Sequence, residues 1–168
     1  MVTMDSGTTP SLMTAAVAGG TFALRRAHSG DLPRILELLA DDQLGAAREN
    51  MDDPTPYQAA FAAIDADPAH LLVVGELDGE VVATFQLSYL PGLSRRGSWR
   101  AQIEAVRVAG SLRGHGVGAL MIEWAIDAAR QRGCSLMQLT TDKSRTSAHR
   151  FYERLGFVAS HEGMKLTL

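Results

Sequence analysis

The chain has 168 residues, 46% of them apolar, with 21% charged, one cysteine and a net charge of −3. That length and composition suit one globular domain, which at this size buries enough surface to need neither disulfide nor metal, and they exclude low-complexity disorder for the bulk of the chain. The charge is uneven: residues 1–94 hold 4 basic and 13 acidic residues, a net −9, whereas residues 95–168 hold 12 and 6, a net +6. A basic second half suits an anionic ligand, while the acidic total argues against a nucleic-acid partner.

A lone Cys134 permits no internal disulfide and no all-cysteine metal site, and suits a reducing, cytoplasmic setting. No apolar run approaches the ~18 residues of a membrane span, and the first residues lack the basic start and apolar stretch of a signal peptide. No membrane association is expected.

Residues 1–20, rich in Ser, Thr, Gly and Ala, read as a mobile tail ahead of a single domain over 21–168. Phe22–Ala27 alternates like a strand. Asp31 is placed to cap a helix carrying Leu32, Ile35, Leu36 and Leu39 at spacings of three and four, with Pro33 in its permissive first turn. Thr55-Pro56 opens a second helix with Tyr57, Ala60, Phe61 and Ile64 on one stripe. The period then shortens to two. His70–Leu77 and Glu80–Tyr89 read as strands joined at Asp78-Gly79, a strong hairpin signal, and Trp99–Val108 is a third long strand.

Gly116–Arg132 reads as a helix with Val117, Leu120, Met121, Trp124, Ala125 and Ala128 on a wide apolar arc, embedded against a sheet and closed by Gly133. Ser135–Thr141 is a strand, Ser147–Leu155 a short helix, and 157–160 and 164–168 are final short strands. The expected order is βααβββαβαββ. It describes an α/β domain with a mixed sheet: antiparallel central strands, and a parallel crossover from 99–108 through the long helix to 135–141.

The most informative stretch runs from Ile103 to Gly118. A strand ends near Val108, and a turn with Arg113, Gly114, Gly116 and Gly118 leads into a helix. The first N–H groups of a helix have no partner within it, and the helix dipole adds about half a positive charge there. Glycines let an anion approach the backbone, so the turn suits a pyrophosphate, with Arg113 adding a fork of donors. Other phosphate loops fit badly. No Gly-Lys-Ser/Thr ends the turn, and Gly114-x-Gly116-x-Gly118 is one residue short of the dinucleotide fingerprint.

Arg113-x-x-Gly116-x-Gly118 resembles the acetyl-CoA motif (Gln/Arg)-x-x-Gly-x-(Gly/Ala) of the GNAT superfamily of N-acetyltransferases. Ala148-His-Arg-Phe-Tyr-Glu-Arg-Leu-Gly-Phe157 is similar to that family's A-x-x-x-Y-E-(K/R)-L-G-F segment, and the element order agrees over residues 21–168. The resemblance implies an acyl-CoA N-acyltransferase fold and acetyl-CoA as co-substrate, with no metal. It implies that the backbone of Val106, Arg107 and Val108 meets the pantetheine arm. The N–H groups of Gly114, His115, Gly116, Val117 and Gly118 would hold the pyrophosphate.

The implied reaction is direct attack of an amine on the acetyl thioester. It requires a proton acceptor, an oxyanion donor and an acid for the leaving thiolate. Tyr152 matches the family tyrosine that stands near the sulfur. Glu104, two residues before Val106 and so expected on its face of the strand, is the candidate acid that binds the amine or relays its proton. Gln102 lies one step earlier on that face. Arg145 stands where family members often carry asparagine. Cys134 reads as an apolar filler, and with no cysteine in the site direct transfer is favoured over a ping-pong route. The histidines show no metal-ligand spacing. The acceptor, a small-molecule or protein amine, would lie against residues 40–60 and the loop 90–98. A different class of function, a non-catalytic acyl-CoA sensor, would use the same cradle. Exposed edges of this fold pair into homodimers, and no feature of the sequence decides that.

Overall fold

The structure, a computed structural model, describes residues 10–168 apart from 18, 42 and 47, with the backbone alone of 43 and 44. Strands β1 (Ser11–Val17) and β2 (Gly20–Arg26) are followed by helices α1 (Leu32–Ala40), α2 (Gln43–Ala46) and α3 (Thr55–Ala66). Strands β3 (His70–Leu77) and β4 (Glu80–Pro91) follow. A single turn, α4 (Ser94–Gly97), precedes β5 (Trp99–Val108), and α5 (Val117–Gln131), β6 (Cys134–Gln138) and α6 (Thr146–Arg154) complete the order.

The six strands form one mixed sheet in chain order, antiparallel from β1 to β5, with β6 parallel to β5 across α5. One face carries the main core. Phe22, Leu24, Val73, Phe85, Leu87 and Ile103 pack against Val117, Met121, Ile122, Ala125 and Ala129 of α5. The other face holds a smaller cluster of Ala27, Ile35 and Val74, onto which Leu39 of α1 and Phe61 of α3 pack.

Three expectations are corrected. Of the tail read over residues 1–20, residues 1–9 lie outside the described residues, but Ser11–Val17 is a strand paired with β2 from Ser11↔Arg25 to Val17↔Gly20. Met13, Ala15 and Val17 do alternate inward, and two alanines of little hydrophobic contrast hide the period. Gly19 and Gly20 make the turn at φ of 105° and 146°, backbone that L side chains rarely adopt.

The final strands expected at 157–160 and 164–168 do not form: neither segment joins the sheet. A period-two pattern offers a strand but cannot supply the edge it must pair with. Asp31, expected to cap α1, makes no side-chain bond to that helix. Its carboxylate accepts from Arg25 Nη1 and Nη2 at 2.7 and 2.9 Å and from the His28 N–H at 2.8 Å. Burial pushes the Asp31 carboxyl up, but the Arg25 guanidinium and the His28 amide outweigh it and hold it below the ordinary aspartate range. Arg25 also donates from Nε to Glu76 at 2.8 Å, so the pair ties β2 and β3 to the start of α1.

Candidate active site

The sheet opens where β5 leaves β6. Their pairing runs only from Trp99↔Cys134 to Gln102↔Gln138, so β5 continues for six residues with no β6 ladder. On its other side β5 stays paired with β4 as far as Val108↔Ala83. A bulge interrupts that pairing: Gln86 faces Glu104, but Thr84 faces Arg107, and Ala105 between them sits at φ 54°. The extra residue breaks the alternation.

This corrects one expectation. Thr84 and Gln86, two apart, share a face of β4, so their partners Arg107 and Glu104 share a face of β5 although three residues apart. Val106 instead packs into the main core. Glu104 therefore does not share the face of Val106. The bulge turns Arg107 to the α1–α3 side in its place.

That side of the sheet carries a polar row of which sequence reading found only Glu104 and Gln102. His70, Ser88, Gln102 and Gln138 are successive cross-strand partners over β3, β4, β5 and β6. His70 Nδ1 lies 2.8 Å from Ser88 Oγ, and Gln138 Nε2 donates to Gln102 Oε1 at 2.8 Å. Gln86 Nε2 reaches Ser88 Oγ at 3.4 Å, and Glu104 extends the row, exposed. The signal was present as polar residues at alternate positions of β4 and β5, between Phe85, Leu87, Ala101 and Ile103 of the opposite face. The row offers hydrogen-bonding groups with a carboxylate at each end, Asp67 Oδ2 at 3.8 Å from His70 Nε2 and Glu104 on β5.

The turn from β5 into α5 is open. Gly114 and Gly116 both have φ of 83°, and a Cβ placed on either would meet nothing within 4 Å. No side chain caps α5, whose N-cap is Gly116. Its first N–H groups are thus left for a ligand, at the positive end of a 15-residue helix. These residues fit a diphosphate. Val117 has only its backbone to offer there, since its side chain is buried in the core. Gly118 has a packing role: a Cβ there would lie 3.4 Å from the Phe151 ring of α6.

Two members of the turn differ from expectation. The His115 N–H donates to Leu112 O at 3.3 Å, so its amide is engaged within the turn. Arg113 does not present a free fork. Its Nη2 donates to Asp41 Oδ2 at 2.9 Å and its Nε to Val108 O at 3.2 Å, clasping the end of α1 to the end of β5. The Val106 carbonyl likewise accepts from Arg107 Nη1 at 3.0 Å, so two carbonyls of the expected pantetheine edge carry arginine donors.

Tyr152 lies on α6 beside this opening. Its ring meets Phe151 and Phe157 edge-on at 5.1 and 5.7 Å, and its hydroxyl makes no hydrogen bond among the described residues. Burial raises the phenol above its ordinary value, against the pull of Arg107 and Arg145. Burial in turn lowers the Arg107 guanidinium, opposed by Tyr152 and Glu49. The loop between α2 and α3 therefore reaches the same place. It is braced there by Tyr57, which donates to Glu49 Oε2 at 2.9 Å and accepts from the Asn50 N–H at 2.8 Å. Cys134 is partly buried against the main core, and burial raises its thiol, which disfavours the nucleophilic thiolate.

Residues 32–157 match the profile of the Acetyltransferase (GNAT) family. The aminoalkylphosphonate N-acetyltransferase of Salmonella typhimurium is 30% identical over 138 residues, covering 82% of this chain and 86% of that one. The streptothricin acetyltransferase of Streptomyces lavendulae is 29% identical, covering 91% and 71%. Among solved structures, a transcriptional regulator from Bacillus halodurans C-125 aligns with a TM-score of 0.84 and 46% identity, covering 88% of this chain and 99% of that one. With an open glycine turn, parted strands and matching relatives, the chain belongs to the GNAT family of acetyltransferases.

Proposed function

We propose that the protein transfers an acetyl group from acetyl-CoA directly to a primary amine of a small molecule. The observation that carries this reading is the unobstructed glycine turn at Gly114 and Gly116 beside the parted β5 and β6. The N–H groups of Gly114, Gly116, Val117 and Gly118 hold the diphosphate, and the β5 edge at Val106, Arg107 and Val108 takes the pantetheine arm as an added strand. When bound, acetyl-CoA supplies the activated acyl group. Tyr152 would donate its phenolic proton to the sulfur as the C–S bond breaks, and the second proton, shed by the nitrogen once the C–N bond has formed, would restore the phenol. A phenol is protonated at neutral pH, and burial, which raises this one, keeps it so. Glu104 binds the ammonium and receives its proton, directly or through water, so that the amine attacks neutral. The His70, Ser88, Gln86 and Gln102 row orients the acceptor beside it.

Aminoalkylphosphonate, streptothricin and glucosamine 6-phosphate acetyltransferases among the relatives support a small-molecule acceptor over a protein. Free-thiol release from acetyl-CoA across a panel of amino sugars, aminoalkyl phosphonates, amino acids, aminoglycosides and peptides tests the reading. Turnover with a small amine is expected. Acetyl-CoA binding without turnover on any amine would favour instead the acyl-CoA sensor, a reading that the likeness to a transcriptional regulator supports.

A further inference from the structure

Arg107 is the charged residue that follows Glu104 on its own face of β5, and only a strained backbone puts it there. Unbroken alternation would bring Val106 to that face and send Arg107 to the other. Ala105, at φ 54°, adds the bulge that reverses this. Left-handed backbone is disfavoured at a non-glycine residue, and such strain collects where ligands are held. The partners Thr84 and Gln86 sit two apart on β4, so Glu104 and Arg107 stand about 7 Å apart on one face. Glu104 is exposed, Arg107 is half-buried, and the Glu104 carboxylate makes no ion pair among the described residues. The two opposite charges are neighbours without being bonded to each other.

The surroundings of Arg107 are short of negative charge. The charges of Arg113 and Arg48 both bear on it, and Arg145 joins it in acting on Tyr152. Arg113 is answered by Asp41 at 2.9 Å, whereas Arg48 stands exposed on the loop between α2 and α3. Glu49 of that loop accepts from the Tyr57 hydroxyl at 2.9 Å. Burial lowers the Arg107 guanidinium, and the pull of Tyr152 and Glu49 does not offset it. Arg25 shows the contrast: its hydrogen bond to Asp31, with help from Glu76, pushes it the other way despite burial. An added anion would relieve Arg107 in the way that Asp31 relieves Arg25.

We infer that the acceptor is a small zwitterion, an amine joined by a short chain to an oxyanion group, phosphoryl or carboxyl, with its ammonium on Glu104 and its oxyanion on Arg107. This rests on the acetyl transfer proposed above and names the class of amine that receives the acetyl group. A guanidinium presents a planar fork of donors that matches the oxygens of either group, and Arg48 adds a second cation at its rim. Attachment at both ends fixes the nitrogen at one point of the β5 face, beside Tyr152, where a simple amine held by Glu104 alone would swing. Arg107 is thereby a specificity-determining residue: it selects the acceptor and touches neither the thioester nor the moving proton.

The test compares phosphoethanolamine, β-alanine and ethanolamine, which share a two-carbon spacer and differ in the group at its far end. Each is titrated calorimetrically into protein saturated with coenzyme A, and each is assayed for thiol release from acetyl-CoA. The two acidic amines should bind at least about tenfold more tightly than ethanolamine and exceed it similarly in kcat/KM. Arg107→Met should collapse both ratios, and Arg107→Lys should restore part of the phosphoryl preference as a point charge. Arg48→Met, on an exposed loop, should lower the same ratios less. Equal binding of all three amines by the unsubstituted protein would overturn the inference, whatever the variants do. So would a preference that survives Arg107→Met, or an Arg107→Met variant whose only loss is acetyl-CoA affinity. Ethanolamine turned over as well as the acidic amines would remove this inference and leave acetyl transfer standing. Tight binding of the acidic amines, lost in Arg107→Met, with no thiol release from any of them would uphold the two-charge site and remove acetyl transfer instead.

Discussion

Gly116 and Gly133 stand at the two ends of α5, about 25 Å apart at 1.5 Å per residue, and form a matched pair for testing the diphosphate turn. Their φ angles are 83° and 82°, and a Cβ at either meets nothing within 4 Å. Alanine at each therefore incurs the same left-handed backbone penalty, ~1–2 kcal/mol, offset by a few tenths through the less flexible unfolded chain. For a chain of this size that lowers Tm by about 2–8 °C in both variants. They should part on ligand. The methyl of Gly116→Ala occupies the space a diphosphate would take, and we expect acetyl-CoA affinity to fall at least tenfold, or about 1.4 kcal/mol. Gly133→Ala should bind like the unsubstituted protein. Thermal unfolding measures the first effect and isothermal titration with acetyl-CoA the second. Equal affinities in two equally destabilised variants would show that the turn does not hold the diphosphate, and would remove the basis for the proposed function.

Other substitutions probe other steps. Tyr152→Phe should lower kcat on the order of 10²-fold with the acetyl-CoA Kd unchanged, read by thiol release and titration. Because burial raises the Tyr152 phenol, the alkaline fall in kcat due to this group should lie above pH 10 in the unsubstituted enzyme. Asp31→Asn removes one partner of the buried pair with Arg25 and should cost about 3 kcal/mol at pH 7 by urea unfolding. The folded Asp31 pKa lies below the unfolded one, so its stabilisation is complete above about pH 5 and is lost as pH falls through the folded value; the two proteins should converge in acid. Gly118→Val drives a branched side chain into Phe151, which a single Cβ already approaches at 3.4 Å, and should destabilise by ~1–3 kcal/mol. A smaller loss would mean that α6 yields.

Much of the site was legible because its chemistry is local. A turn with glycines at fixed offsets ahead of an amphipathic helix needs only neighbours in sequence; Gly114 and Gly116 form that turn, and the helix read over 116–132 spans Val117–Gln131. The polar row was harder. Its members come from four strands, and only the register of those strands aligns His70 with Ser88, Gln102 and Gln138.

What the sequence determined alone was therefore the fold class, the family and the open glycine turn, each set by short-range periodicity, turn chemistry and motif spacing. Tertiary structure decided where side chains point. Ala105 takes a conformation that no propensity scale assigns to alanine, and the bulge it creates places Arg107, not Val106, with Glu104. Arg113 turns from the expected anion to Asp41 because α1, some 70 residues earlier, ends beside it. Asp31 leaves its helix for Arg25 because β2 carries that guanidinium to the same buried point. Pairings of this kind follow from which distant segments the packed sheet brings within reach, and from the cost of burying a charge without its partner.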